Sequence, residues 1–107
     1  MSTVILPEHA NALSAFDHVQ RTRLVFGNGT ASRAGELAGE LGLTHLLLVT
    51  DSGLVKAGHA AGVTEALEKA GLKVTLFDEV IENPTTDCVG KARQAAASAG
   101  VDSILGL

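Results

Sequence analysis

The segment His45-Leu46-Leu47-Leu48-Val49-Thr50 decides the fold of this chain. Its apolar run is continuous rather than alternating, which is typical of a strand buried on both faces of a parallel sheet. Residues 34–41 before the run and residues 63–70 after it repeat apolar positions at helical spacing, and both stretches end at a glycine. Parallel strands are joined by such helical crossovers. The pattern therefore predicts a central strand within an α/β domain.

The same alternation extends along the chain in both directions. Strand-like runs occupy residues 23–26, 73–78 and 103–107, and residues 89–99 carry another helical stripe. Strands alternating with helices predict an α/β fold with a mainly parallel sheet and helices on both faces. Residues 1–22 lack clear periodicity and are interpreted as an N-terminal extension, leaving residues 23–107 as one partial domain. No helix covers the last strand, so we expect the natural protein to continue and interpret the chain as a fragment.

Composition excludes several classes of function. The 107 residues are 46% hydrophobic with a net charge of −4, and the basic side chains are scattered, which argues against nucleic-acid binding. No apolar run approaches the roughly 20 residues of a membrane helix, and residues 1–10, which carry Glu8 and His9, lack the charged-then-apolar pattern of a signal segment. A cytoplasmic protein without a membrane partner is expected. The lone Cys88 fits a reducing compartment and is interpreted as a small apolar residue on a helix face.

Asp51 directly follows the buried strand, where ligands of parallel sheets bind. A carboxylate at this position can accept hydrogen bonds from both ribose hydroxyls of an adenosine. Its charge would repel a 2′-phosphate, which favours NAD over NADP. The alternative is that Asp51 caps the next turn. The pattern alone leaves both interpretations open.

Residues 27–32 form a glycine turn between a predicted strand and a predicted helix. The turn partly matches a dinucleotide fingerprint, with Ser32 in the third glycine position, and its amides would hold a pyrophosphate. The alternative is an ordinary turn in which Thr30 or Ser32 caps the helix.

Asn83-Pro84-Thr85 offers an amide, a rigid turn and a hydroxyl at a helix start. Pro84 predicts an extended Asn83, and the three residues are candidates for contact with ribose or nicotinamide atoms. The alternative is a plain turn with Thr85 as helix cap. The four histidines show no metal-ligand spacing, so we predict neither a metal ligand nor a catalytic residue in this chain. The histidines are His9, His18, His45 and His59.

Four segments, taken together, resemble one family. They are Phe26-Gly27-Asn28-Gly29, Leu48-Val49-Thr50-Asp51-Ser52-Gly53-Leu54-Val55-Lys56-Ala57-Gly58, Asn83-Pro84-Thr85 and Val101-Asp102-Ser103-Ile104-Leu105-Gly106-Leu107. Their order and spacing resemble the iron-containing alcohol dehydrogenases through essentially all of residues 23–107. The combination is fairly specific, whereas each segment alone is weak.

The resemblance implies a two-domain enzyme with a Rossmann-like NAD(P)-binding domain and a helical domain that holds Fe²⁺ or Zn²⁺. The metal polarises an alcohol or carbonyl oxygen while hydride passes between the substrate and the nicotinamide. The resemblance assigns Asp51 to the adenosine ribose and Asn83, Pro84 and Thr85 to the cofactor cleft. It further implies a homo-oligomer that acts on a small alcohol, aldehyde or ketone.

In the family, a Gly-Gly-Gly-Ser loop that holds the pyrophosphate follows the strand corresponding to residues 103–107. This lowers the expectation that the turn at residues 27–32 binds phosphate. The metal ligands lie in the second domain. We therefore expect this chain, truncated before that loop and before the metal-binding domain, to bind no iron, to bind NAD weakly if at all, and to show no turnover.

Two alternatives are weaker. A flavodoxin-like ligand-binding or regulatory module needs an acidic cluster or a phosphorylatable aspartate with a facing lysine, and Asp51 followed by Lys56 fits this poorly. A zinc glycerol dehydrogenase or a dehydroquinate synthase would share the architecture. The Asn-Pro-Thr element points away from both.

Overall fold

Three parallel strands form the centre of the fold in the computed structural model, which describes residues 14–107. They are β1 (His45–Val49), β2 (Lys73–Phe77) and β3 (Ser103–Gly106), in the order β2-β1-β3. The helices are α1 (Ala34–Glu40), α2 (Ser52–Lys56), α3 (His59–Lys69) and α4 (Thr86–Ala99), and a 3₁₀ turn at Thr30–Arg33 leads into α1. The predicted α/β fold with a parallel sheet and flanking helices is confirmed.

Strand β1 is buried on both faces, as its continuous apolar run predicts. Successive side chains of a strand point to opposite faces. Leu46 and Leu48 pack with residues of α1 and α3, whereas Leu47 packs on the other face with Phe77 and with Cys88 of α4. Cys88 is therefore part of the core, in line with its interpretation as an apolar residue.

The two connections between strands run in opposite directions across the sheet. The chain passes through α3 to β2 on one side of β1, then returns through α4 to β3 on the other side. Such a reversal of strand order opens a crevice at the carboxyl ends of the strands, which is where parallel α/β proteins bind ligands.

The prediction of a strand at residues 23–26 is wrong. These residues form no backbone hydrogen bond with any other residue in the range 14–107. Leu24 and Phe26 are 84% and 95% exposed, and Arg23 Nη1 contacts Glu40 Oε2 at 2.7 Å. A β-strand forms only when its backbone pairs with a neighbouring strand, and no segment within residues 14–107 pairs with residues 23–26. Within the predicted extension, residues 14–22 are exposed and irregular; residues 1–13 lie outside the described part.

One carboxylate ties the amino ends of β1 and β3 together. Asp102 Oδ2 accepts hydrogen bonds from Thr44 N at 2.9 Å and from Thr44 Oγ1 at 2.6 Å. Its Oδ1 accepts from His45 N at 3.2 Å and from Ser103 Oγ at 2.8 Å. The hydroxyl of Thr44, followed by that of Ser103, holds the pKa of Asp102 well below its usual range.

The lowered pKa of Asp102 predicts a pH dependence of stability. The unfolded carboxyl titrates at about 3.9, so the stabilisation is complete well above that value and is lost as the pH falls below it. Urea unfolding should therefore separate wild type from Asp102→Asn at about pH 6, and the gap should begin to narrow below about pH 4 and continue to narrow to the lowest pH at which the chain stays folded. Asp17→Asn is the control, because Asp17 accepts no hydrogen bond from residues 14–107. A gap for Asp102→Asn that stays constant with pH would contradict this assignment.

Candidate cofactor-binding site

Backbone hydrogen bonds gather the segments that follow the three strands at one edge of the sheet. Thr50 N donates to Phe77 O at 2.9 Å, and Val80 N donates to Thr50 O at 3.4 Å. Leu107 N donates to Val49 O at 3.0 Å. The segments after β1, β2 and β3 therefore meet where the crevice opens. We call this region the carboxyl edge.

Asp51 lies at the carboxyl edge and caps α2. Its backbone is extended, and Oδ1 accepts a hydrogen bond from Leu54 N at 2.8 Å. The capping alternative is therefore observed. The side chain is partly exposed, and Oδ2 accepts no hydrogen bond from residues 14–107. The cap fixes the carboxylate in position, and one oxygen remains available to a ligand.

The loop with Asn83, Pro84 and Thr85 also lies at this edge. All three residues are exposed, and Thr85 Oγ1 caps α4 by accepting from Cys88 N at 3.4 Å. The prediction of an extended Asn83 is wrong, because its φ is 52°. Asparagine tolerates this left-handed conformation better than most residues. The Asn83 amide forms no side-chain hydrogen bond within residues 14–107.

The turn at residues 27–32 uses its hydroxyls internally. Thr30 Oγ1 donates to Gly27 O at 2.9 Å, and Ser32 Oγ donates to Gly29 O at 2.8 Å. Neither side chain caps the helix, because Gly29 with φ 74° occupies the cap position of the 3₁₀ turn. The alternative with Thr30 or Ser32 as cap is therefore wrong, although the glycine turn itself is present.

An open hollow of about 540 Å³ adjoins this turn. It lies between the turn, the α2–α3 link and Leu107, and small or apolar side chains line most of it. Its only polar side chains are Ser32, whose hydroxyl already donates to the turn, and His59. This lining suits an apolar occupant better than a phosphate group.

Metal-ligand clusters and membrane-spanning helices are both absent from residues 14–107. Residues 14–107 bring together no group of three His, Cys, Asp or Glu side chains that could hold a metal ion. No helix in that range is long and apolar enough to cross a membrane.

Thr50 was missed by the sequence reasoning. It is 2% exposed, and its Oγ1 is buried without a hydrogen-bond partner among residues 14–107. The only signal in the sequence is a hydroxyl residue that ends an apolar run. A buried hydroxyl without a partner costs free energy.

Thr50→Val is therefore expected to raise the free energy of unfolding by about 1 kcal/mol, because it removes the unpaired hydroxyl and keeps the side-chain shape. The control is Thr75→Val, which removes the partner of His45 Nε2 at 2.7 Å and should destabilise. Both changes are measured by urea unfolding. Destabilisation by Thr50→Val would show that its hydroxyl has a partner.

The fold and the carboxyl edge define the class of protein. A parallel, Rossmann-like sheet with helices on both faces carries an available carboxylate oxygen at the reversal of strand order. A family model described as iron-containing alcohol dehydrogenase matches residues 21–107. The chain belongs to this family, and the predicted resemblance is confirmed.

Individual relatives agree with the family. Choline dehydrogenase of Bacillus subtilis (strain 168) is 40% identical over 73 residues, which cover 68% of this chain and 18% of the relative. NADH-dependent butanol dehydrogenase A from Thermotoga maritima is 27% identical with a TM-score of 0.77, over 84% of this chain and 23% of that one. Alcohol dehydrogenase from Oenococcus oeni is 29% identical with a TM-score of 0.78, over 86% of this chain and 24% of that one.

The chain thus spans 18–24% of the length of these three proteins. Its sheet and helices correspond to the N-terminal α/β domain of the family structures. The family match favours the dehydrogenase interpretation over the regulatory-module alternative.

Proposed function

We propose that this chain supplies the adenosine-binding part of an NAD-dependent alcohol dehydrogenase. The enzyme would transfer hydride between the nicotinamide and a small alcohol, aldehyde or ketone. The main support for this proposal is the position of the Asp51 carboxylate at the carboxyl edge. Its Oδ1 accepts the hydrogen bond that caps α2, and its Oδ2 is available to a ligand. The name of the Thermotoga maritima relative, an NADH-dependent enzyme, supports the choice of cofactor.

In this proposal Asp51 accepts hydrogen bonds from the adenosine ribose. A carboxylate that is already fixed loses little freedom on binding, so more of the hydrogen-bond energy appears as affinity. Asn83, Pro84 and Thr85 form the neighbouring wall of the cleft, where the exposed Asn83 amide can bond to the nucleotide. NAD is favoured over NADP, because a 2′-phosphate would replace a hydroxyl that Asp51 accepts from and would repel its charge.

Chemistry at the nicotinamide is assigned to other residues. When bound, NAD accepts or supplies the hydride, and the iron or zinc of the family polarises the substrate oxygen. The described residues gather no group of metal ligands, and the metal would bind in a second, helical domain. A homo-oligomeric, cytoplasmic enzyme completes the proposal.

A nucleotide titration of the ¹⁵N-labelled chain, followed by NMR, tests the proposed function. AMP or NAD⁺ added to millimolar concentration should shift the backbone amides of Asp51, Ser52, Asn83 and Thr85. The amides of Thr44 and Asp102 at the opposite edge of the sheet should not move. Weak affinity is expected, because these residues contact only the adenosine part. No shifts at the carboxyl edge, or shifts mainly at the amino ends of the strands, would contradict the proposal.

A further inference from the structure

We propose that the acidic segment Asp78–Glu82 repels a 2′-phosphate and so adds to the rejection of NADP at the nucleotide site. The inference rests on the proposed function and extends it, because it assigns part of the cofactor preference to residues other than Asp51. Three carboxylates of the segment, on Asp78, Glu79 and Glu82, carry the argument.

The segment is held against the tip of β1. Phe77 O and Val80 N both bond to Thr50, the residue before Asp51, so Asp78 and Glu79 lie between two attachment points. From these hydrogen bonds and the spacing of consecutive Cα atoms, the Cα atoms of both residues lie within roughly 10 Å of the Cα atom of Asp51.

Two further contacts tether the segment to the core. Val80 packs against the core cluster on the α4 face, and Glu79 O accepts a hydrogen bond from Cys88 Sγ at 3.6 Å. The backbone of the segment is thus fixed beside Asp51 rather than free to swing away.

The charges of the segment are uncompensated within the described residues. Asp78, Glu79 and Glu82 are exposed, and none forms an ion pair with a residue in the range 14–107. No lysine or arginine occurs between Lys73, at the start of β2, and Lys91 in α4. A 2′-phosphate on a ribose bound by Asp51 would add negative charge within about one Debye length of Asp78 and Glu79, roughly 10 Å at 0.1 M salt.

The experiment compares AMP with adenosine 2′,5′-bisphosphate, which differs from AMP by the 2′-phosphate alone. Dissociation constants for both are measured by NMR titration at low salt, for wild type and for the triple variant Asp78→Asn/Glu79→Gln/Glu82→Gln. At this distance Asp78 and Glu79 are each worth about a twofold change, and Glu82, beyond the Val80 attachment, is counted for less. The dissociation constant of the bisphosphate divided by that of AMP should therefore fall about fivefold in the variant. At about 0.5 M salt the variant and wild type should converge. Glu68→Gln is the control, because Glu68 is exposed near the end of α3, at the opposite edge of the sheet.

The outcomes separate the inference from the proposed function. A lower ratio in the triple variant, unchanged by Glu68→Gln, supports the inference. If AMP binds and the ratio stays at the wild-type value, or if Glu68→Gln lowers it equally, the inference fails and the proposed function stands. If the wild-type chain does not bind AMP at the carboxyl edge, the proposed function fails and the inference fails with it.

Discussion

Gly35→Ala is expected to lower the free energy of unfolding by about 2–3 kcal/mol. Helix α1 crosses α3 at Gly35, where an added Cβ would lie 2.3 Å from Ala66 O and 2.9 Å from Ala70 Cβ. The nearer atom belongs to the backbone of α3, so it cannot move aside as a flexible side chain would. The two helices must separate, and this opens the core that they share with β1.

A second glycine of the same helix gives a matched control. Nothing lies within 4 Å of a Cβ added at Gly39. Gly39→Ala should therefore raise the free energy of unfolding by up to about 1 kcal/mol, through its better helix propensity. Urea unfolding of the two variants beside wild type measures both effects. Equal behaviour of the two variants would show that the close crossing of α1 and α3 is absent in solution.

Asp51→Asn is expected to weaken AMP binding by about tenfold with little loss of stability. Asparagine caps a helix about as well as aspartate, so the bond from Leu54 N is kept. Because the cap occupies Oδ1, an amide NH₂ group replaces Oδ2 and cannot accept a hydrogen bond from the ribose. A hydrogen bond to a charged acceptor is worth roughly 1.5 kcal/mol or more, which corresponds to about tenfold in affinity. Adenosine 2′,5′-bisphosphate should lose less affinity than AMP, because the repulsion of its 2′-phosphate is relieved at the same time.

Asp51→Ala separates the two roles of this carboxylate. It removes both the cap and the ribose acceptor, so it should lower the free energy of unfolding by about 1 kcal/mol as well as weaken AMP binding. Thermal unfolding and NMR titration of both variants distinguish the effects. If Asp51→Asn binds AMP as wild type does, Asp51 is a helix cap alone.

The elements predicted well from sequence are those that depend on local pattern. Strand β1 follows from a continuous apolar run, and α4 follows from an apolar stripe that ends at Gly100. Residues 23–26 have an equally strand-like composition, but pairing depends on a partner remote in sequence, and composition does not report that partner. The left-handed backbone of Asn83 was not predicted, because steric contact with the proline ring usually favours an extended conformation for the residue before proline.

The location of the candidate site could be predicted from the sequence, whereas most of its contacts could not. The position of Asp51 after a buried strand places it at the carboxyl edge, and the structure agrees. The cap to Leu54 N was one of two open alternatives, and it leaves the second oxygen for a ligand. The hydrogen bonds that hold Val80 to Thr50 and Asp102 to Thr44 join residues distant in sequence. Such contacts come from the fold and have no local signature.

A structure of the chain with AMP would show directly whether Asp51 binds the adenosine ribose of NAD as proposed. We expect a ribose hydroxyl oxygen at hydrogen-bond distance, about 2.5–3.0 Å, from an Asp51 carboxylate oxygen. Adenosine bound elsewhere, for example in the hollow beside Gly29 and Leu107, with Asp51 bonded to Leu54 alone, would contradict this proposal.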